Sequence, residues 1–270
     1  MATGHSRMLE VDGARLHYEL RGAGPALLLI PGSNGDAGFY ADLADLLAGR
    51  HTVISYDRRG FSRSPIRQES HAGWAETHTE DARALLDAVA EGPAHVFGSS
   101  AGAVIGLALI SRHPEQVTRL VAHEPPLAEL LPDATRWRRF FQDVSFTYQE
   151  QGAGPAMQMF TAGIGIDTAA KPPHIAPDLI SRMPANVHTI LTSEVPNAPG
   201  YRPDLAALDR QQARIVLAGG QESRAHFPSR PAATLAARWN QPVIDFPGDH
   251  TGYWSRPDEF AATLVEVLAV

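Results

Sequence analysis

The segment Gly98-Ser99-Ser100-Ala101-Gly102 limits the possible folds of this chain more than any other stretch. It follows a short apolar run, Ala94-His-Val-Phe97, and opens a long apolar segment reaching His113. A backbone that passes from strand to helix in so few residues must turn sharply. Glycine two places before and two places after Ser100 removes Cβ atoms that would collide where strand and helix approach. G-x-S-x-G in this setting lifts a serine hydroxyl above a sheet edge and points the free N–H groups of a helix N-terminus at the same place. Ser99 stands one residue too early relative to the glycines and is read as structural or pocket-lining.

Five further apolar runs bounded by turn residues predict strands buried on both faces: Ala26 to Ile30, Thr52 to Tyr56, Arg119 to Ala122, Ile215 to Ala218 and Pro242 to Phe246. Helical patterns lie between them, at Tyr40 to Ala48, Trp74 to Ala90, Ala101 to His113 and Arg230 to Trp239, and a closing helix spans Asp258 to Leu268. This alternation predicts an α/β fold with a parallel sheet. Met8 to Val11 and Arg15 to Leu20 flank an Asp12-Gly13 turn, so the sheet begins with an antiparallel pair. From Leu127 to Pro203 the alternation stops, and aromatic-rich helical pieces take over, with Trp137, Phe140, Phe141, Phe146, Tyr148 and Phe160 among them. The expected organisation is therefore a core of residues 1–126 and 204–270 with a helical cap inserted at 127–203.

Composition narrows the chemistry. The chain has no cysteine, which leaves hydroxyl, imidazole and carboxylate groups to do the work. A net charge of −7 without a long Lys/Arg run argues against nucleic acid or an anionic membrane as partner and favours a small-molecule substrate. No run approaches the roughly 20 apolar residues that cross a bilayer, and the start has no apolar run of signal-peptide length, so a cytoplasmic location is expected.

A serine hydroxyl becomes a useful nucleophile only when an imidazole accepts its proton. Among 12 histidines, His250 is the best placed, in Gly248-Asp249-His250-Thr251-Gly252 between the last strand run and the closing helix. Two carboxylates compete to orient it. Glu124 follows a strand run and precedes Pro125 and Pro126, which restrict its backbone; Glu222 follows the penultimate strand run in Ala218-Gly-Gly-Gln-Glu222-Ser. Glu124 is preferred and Glu222 is its rival. Asp249 sits too close to His250 in sequence to turn back to its ring, and Asp57 belongs to a different loop. An oxyanion needs two donors: Ala101 N–H supplies one, and the loop Pro31-Gly32-Ser33-Asn34-Gly35 supplies the other, with Ser33 preferred over Asn34.

These residues together resemble the α/β-hydrolase superfamily. Pro31-Gly32-Ser33 is similar to its His-Gly-x oxyanion loop with proline in place of histidine. Tyr56-Asp-Arg-Arg-Gly-Phe-Ser-Arg-Ser64 is similar to its Asp-x-Arg-Gly-x-Gly-x-Ser turn, with Ser62 where glycine is usual. Gly98 to Gly102 matches the nucleophile elbow and Gly248 to Gly252 the histidine loop. The resemblance implies an eight-stranded, mostly parallel sheet flanked by helices, with a helical lid over the serine. In most of the superfamily the acid follows the penultimate strand, which favours Glu222; in some members, certain zearalenone lactonases and haloalkane dehalogenases included, it follows the strand before, which favours Glu124.

Serine at the elbow separates the chain from the branches that use an aspartate to form an alkyl-ester intermediate. The expected function is hydrolysis of an ester or lactone of a small, largely apolar substrate through an acyl-enzyme on Ser100, with neither metal nor organic cofactor. A lyase or cofactor-free oxygenase using His250 as base, and a ligand-binding receptor on the same scaffold, are the alternatives.

Overall fold

The computed structural model describes residues 5–68, 70–166 and 174–269; residues 1–4, 69 and 270 of the expected core and 167–173 of the expected cap lie outside them. The strands are β1 (His5–Val11), β2 (Ala14–Arg21), β3 (Ala26–Ile30), β4 (Thr52–Tyr56), β5 (Ala94–Ser99), β6 (Val117–His123), β7 (Ile215–Gly220) and β8 (Ile244–Phe246). They form one eight-stranded sheet in the order β1-β2-β4-β3-β5-β6-β7-β8. β1 and β2 pair antiparallel, β2 meets β4 antiparallel, and all later pairings are parallel.

Strands β5 and β7 run two residues beyond the apolar runs that announce them, through Gly98-Ser99 and Gly219-Gly220. Glycine and serine carry little strand propensity, but the neighbouring strands supply ladder partners and override it: Ser99 pairs with His123 and Gly220 with Phe246.

Eleven helices surround the sheet among the described residues: α1 (Ala41–Leu47), α2 (Trp74–Val89), α3 (Ala101–Arg112), α4 (Ala134–Gln151), α5 (Ala153–Ile164), α6 (Pro177–Thr189), α7 (Val195–Asn197), α8 (Leu205–Gln211), α9 (Ser229–Trp239), α10 (Gly252–Ser255) and α11 (Pro257–Leu268). Alternation along the buried strands divides their side chains between two cores. Leu28, Ile30, Val96 and Leu120 face one side, where α2, α3, α8 and α9 contribute Leu85, Val104, Leu208 and Leu235. Leu27, Leu29, Phe97 and Val121 face the other, against Leu43 of α1 and Phe260 and Leu264 of α11. Helices α4 to α7 leave the sheet after β6 and rejoin it before β7; Trp137, Phe141, Val144, Phe160, Ile190 and Val195 give this helical insertion its own apolar core, to which Phe61 and Phe227 of the sheet-bearing part also belong.

The winding of the sheet reverses at β3, whose neighbours are β4 on one side and β5 on the other. A crevice opens at the carboxyl ends of the strands at such a switch point. Here it brings the loop after β3 beside the turn after β5, with Ile30 and Gly98 in register.

The turn after β4 is held by buried charge. The Arg59 guanidinium makes a two-pronged contact with the Asp81 carboxylate of α2, at 2.6 and 2.5 Å, and donates to the Asp12 carbonyl at 3.0 Å. Only 8% of Arg59 and 1% of Asp81 is exposed. Asp81→Ala leaves the guanidinium buried without its counter-charge, and a loss of about 3–5 kcal/mol in unfolding free energy by denaturant titration is expected.

Candidate active site

Ser100 sits between β5 and α3 with φ 56° and ψ −126°, a conformation that a residue with a side chain rarely adopts. The surroundings hold it there: Ser100 N–H donates to the His123 carbonyl at 2.9 Å, and the Ser100 carbonyl accepts from Ala103 N–H at 2.9 Å. Close packing explains the flanking glycine. A Cβ on Gly102 would lie 2.1 Å from the Ile30 carbonyl oxygen at the end of β3. The loop after β3 also lies close to the serine, since a Cβ on Gly32 would stand 3.1 Å from Ser100 Cβ. Ala101, the first helical residue of α3, has an N–H without an acceptor within its own helix.

Glu124 begins the loop after β6, fully buried and also at positive φ, 50°. Its Oε2 lies 2.5 Å from His250 Nδ1. Its Oε1 accepts from Gly220 N–H at 2.9 Å and from the Ser223 hydroxyl. Burial works to raise the Glu124 pKa, but the hydrogen bond and charge interaction with His250 and the bond from Ser223 outweigh it and hold the carboxyl down to about 2. An ionised carboxylate only accepts hydrogen bonds, so a proton on His250 Nδ1 fills this contact, and Nε2 is the ring nitrogen not engaged by Glu124.

Glu222 does not reach this imidazole. Its side chain is exposed at the surface and pairs with Arg256 at 2.7 Å. The segment in which it lies nevertheless belongs to the site, because Gly220 and Ser223 from the end of β7 are the donors that fix Glu124. Ser223 carries no motif of its own in the sequence; the one signal for it is its place next to Glu222 after a strand run. Asp249 accepts from Thr251 N–H at 2.8 Å and shapes the His250 loop. Asp57 bonds Ala37 N–H and Arg63 in the turn after β4.

Ser33, Ser100 and His250 line one tight cavity of about 20 Å³. Pro126, Phe141, Phe160, Ile164, Val195 and Phe227 complete most of its wall, and Glu194 is the one carboxylate in it among the described residues. Among the described residues no hydrogen bond joins the Ser100 hydroxyl to His250; bonds of this kind commonly tighten only around a bound substrate. Asn34 is not part of this lining: its side-chain amide nitrogen reaches the Tyr253 hydroxyl at 3.5 Å, and its backbone carbonyl accepts from the Asn186 side chain of the insertion at 3.4 Å. Behind the site, His123 is fully buried with its ring 3.1 Å from the Ser99 hydroxyl, and burial lowers its pKa to about 4, so it is uncharged at neutral pH. Ser99 is thus engaged with His123 beneath the sheet edge, facing away from the cavity that Ser100 lines.

The depressed Glu124 pKa has a consequence for stability with a definite sign. A carboxyl whose folded pKa lies below its ordinary value of 4.5 contributes stability that is present above that value and lost as the pH falls towards about 2. Glu124→Gln removes the titrating group, so the stability difference between wild type and variant, followed by denaturant melts over this range, narrows on acidification.

The fold agrees with comparisons to known proteins. Residues 25–257 match the family model described as alpha/beta hydrolase fold. The chain is 37% identical over 266 residues to "Uncharacterized hydrolase YraK" of Bacillus subtilis, with 96% of this chain and 94% of that protein aligned. The crystal structure of an alpha/beta hydrolase from Sphaerobacter thermophilus superposes with a TM-score of 0.71 at 28% identity, covering 97% of this chain and 100% of that one. A hydrolase from Pseudomonas aeruginosa, at 20% identity, shares the fold with a TM-score of 0.71 over 99% of this chain and 100% of its own. The chain belongs to the alpha/beta hydrolase fold family.

Proposed function

We propose that this hydrolase cleaves a carboxylic ester or lactone of a small, largely apolar substrate through an acyl-enzyme on Ser100. The observation that carries the reading is that His250, held by the buried Glu124, lines the same cavity as a strained Ser100. Ser100 Oγ attacks the substrate carbonyl carbon while His250 Nε2 takes the hydroxyl proton. Glu124 holds the ring in the required tautomer and stabilises the imidazolium as it forms. The carbonyl oxygen becomes an oxyanion that accepts from the N–H groups of Ala101 and Ser33. Collapse of this intermediate breaks the bond to the leaving oxygen, which takes the proton from His250. Water then attacks the ester of Ser100 by the same route, giving the acid and restoring the hydroxyl.

Every step uses side chains of this chain and water, so the reading requires no metal or organic cofactor. The wall of aromatic and aliphatic groups supports an apolar acyl or leaving group. No described helix is long and apolar enough to cross a membrane. A small molecule is the proposed partner, with a cytoplasmic location.

Treatment with a fluorophosphonate followed by mass spectrometry is expected to place the label on Ser100. Ser100→Ala and His250→Ala abolish labelling and lower kcat on the order of a thousandfold or more, and Glu124→Gln gives a fall of similar order. Glu222→Ala leaves kcat within about twofold, as expected for an exposed surface pair. A folded, accessible protein that is never labelled at Ser100 would exclude the acyl-enzyme and turn attention to base chemistry on His250 alone.

A further inference from the structure

Between the loop after β3 and the helical insertion lies a fully buried arginine that the chemistry above does not use. Arg58 and Glu194 are both inaccessible to solvent. Glu194 belongs to a π-helical turn, Ile190–Glu194, inserted between α6 and α7, a local widening of the helix that is uncommon outside functional sites. Its Oε2 accepts from Arg58 Nη2 at 2.6 Å, and its Oε1 from Arg58 Nη1 at 3.3 Å and Trp74 Nε1 at 2.9 Å. His78 Nε2 stands 3.8 Å from the same Oε1, and burial holds that imidazole well below its ordinary pKa, so the carboxylate meets one full positive charge.

The Nη2 group that meets Glu194 Oε2 also reaches the loop beside the nucleophile. Arg58 Nη2 donates to the Gly32 carbonyl at 2.8 Å, and Gly35 N–H donates to that oxygen at 3.0 Å. The backbone N–H of Arg58 donates in turn to the Gly35 carbonyl at 2.8 Å. Residues Gly32 to Gly35 are therefore gripped at both ends by one residue. The Gly32 carbonyl and the Ser33 N–H belong to one planar trans peptide and point in opposite directions. Fixing the carbonyl towards Arg58 fixes the N–H away from it. A flip of this peptide would break two bonds to the Gly32 oxygen, one of them strengthened by charge.

We propose that Arg58 is a positioning residue that locks the Gly32–Ser33 peptide with its N–H aimed at the reacting oxygen, and that Glu194 makes this lock depend on the seating of the helical insertion. The proposal rests on the reading of Ser33 as an oxyanion donor. It gives the insertion a part in the chemical step beyond walling the cavity, because withdrawing Glu194 leaves the guanidinium buried without its counter-charge and frees the carbonyl that it holds.

The test compares wild type with Arg58→Lys, Glu194→Gln and Arg58→Met paired with Glu194→Leu, using p-nitrophenyl butyrate as substrate and an alkyl trifluoromethyl ketone as inhibitor. The paired apolar replacement removes both charges, so it is expected to melt near the wild-type temperature. Expected for each variant is a kcat lower by about tenfold to a hundredfold with KM within about threefold. The inhibitor, which forms an oxyanion on the serine, weakens by the factor lost in kcat/KM. Folded variants with wild-type kcat and inhibitor affinity would overturn the proposal, as would a loss confined to KM. Should the paired variant fail to fold, the two single variants decide by the same ratios. Ser100→Ala is run alongside: if it retains wild-type turnover, the functional reading itself fails, and if it is inactive while the Arg58 and Glu194 variants are not, only the positioning role does.

Discussion

The site depends on a buried carboxylate with no oxygen left free. Glu124 joins three consecutive pieces of the sheet's far half: its own strand β6, the end of β7 through Gly220 and Ser223, and the loop after β8 through His250. A charge buried without such partners would cost several kcal/mol and would neutralise instead. These three contacts thus explain both why Glu124 stays ionised and why β8, a strand of only three residues, delivers His250 to a defined place. The sheet provides the frame, and this carboxylate sets the register of its loops.

Strain is concentrated where that frame meets the cavity. Among the described residues four non-glycine positions adopt positive φ, and two of them are Ser100 and Glu124. Each is clamped by a backbone bond to the neighbouring strand, Ser100 to His123 and Glu124 to Ala218. Both residues lie one step beyond the paired ends of β5 and β6, where ladder hydrogen bonding stops and side chains can be turned towards the crevice.

Much of this was legible in the sequence because it is encoded locally. The elbow needs glycine within two residues of Ser100, and the strands need short apolar runs, so both appear as compact patterns. The partner of His250 was not legible in that way. Glu124 and Glu222 both follow strands whose carboxyl ends lie side by side, His123 pairing with Ala218, and their order along the chain is the same relative to Ser100 and His250. What separates them is the direction in which each side chain leaves its loop, inward for Glu124 and out to Arg256 for Glu222. The Arg58–Glu194 pair was further out of reach, since its members stand 136 residues apart and neither carries a local signature.

The tightness of the cavity bears on how substrate and protein select one another. About 20 Å³ holds little more than a single water, so a larger ligand enters this cavity only if its walls move apart. Phe141, Phe160, Ile164 and Val195 all belong to the insertion's own core, so displacing those walls disturbs that core. The cost of that displacement is subtracted from the intrinsic affinity of every ligand that needs it. A substitution deep in the insertion that changes only this cost would therefore raise or lower the affinity of all such ligands together and leave their ranking unchanged.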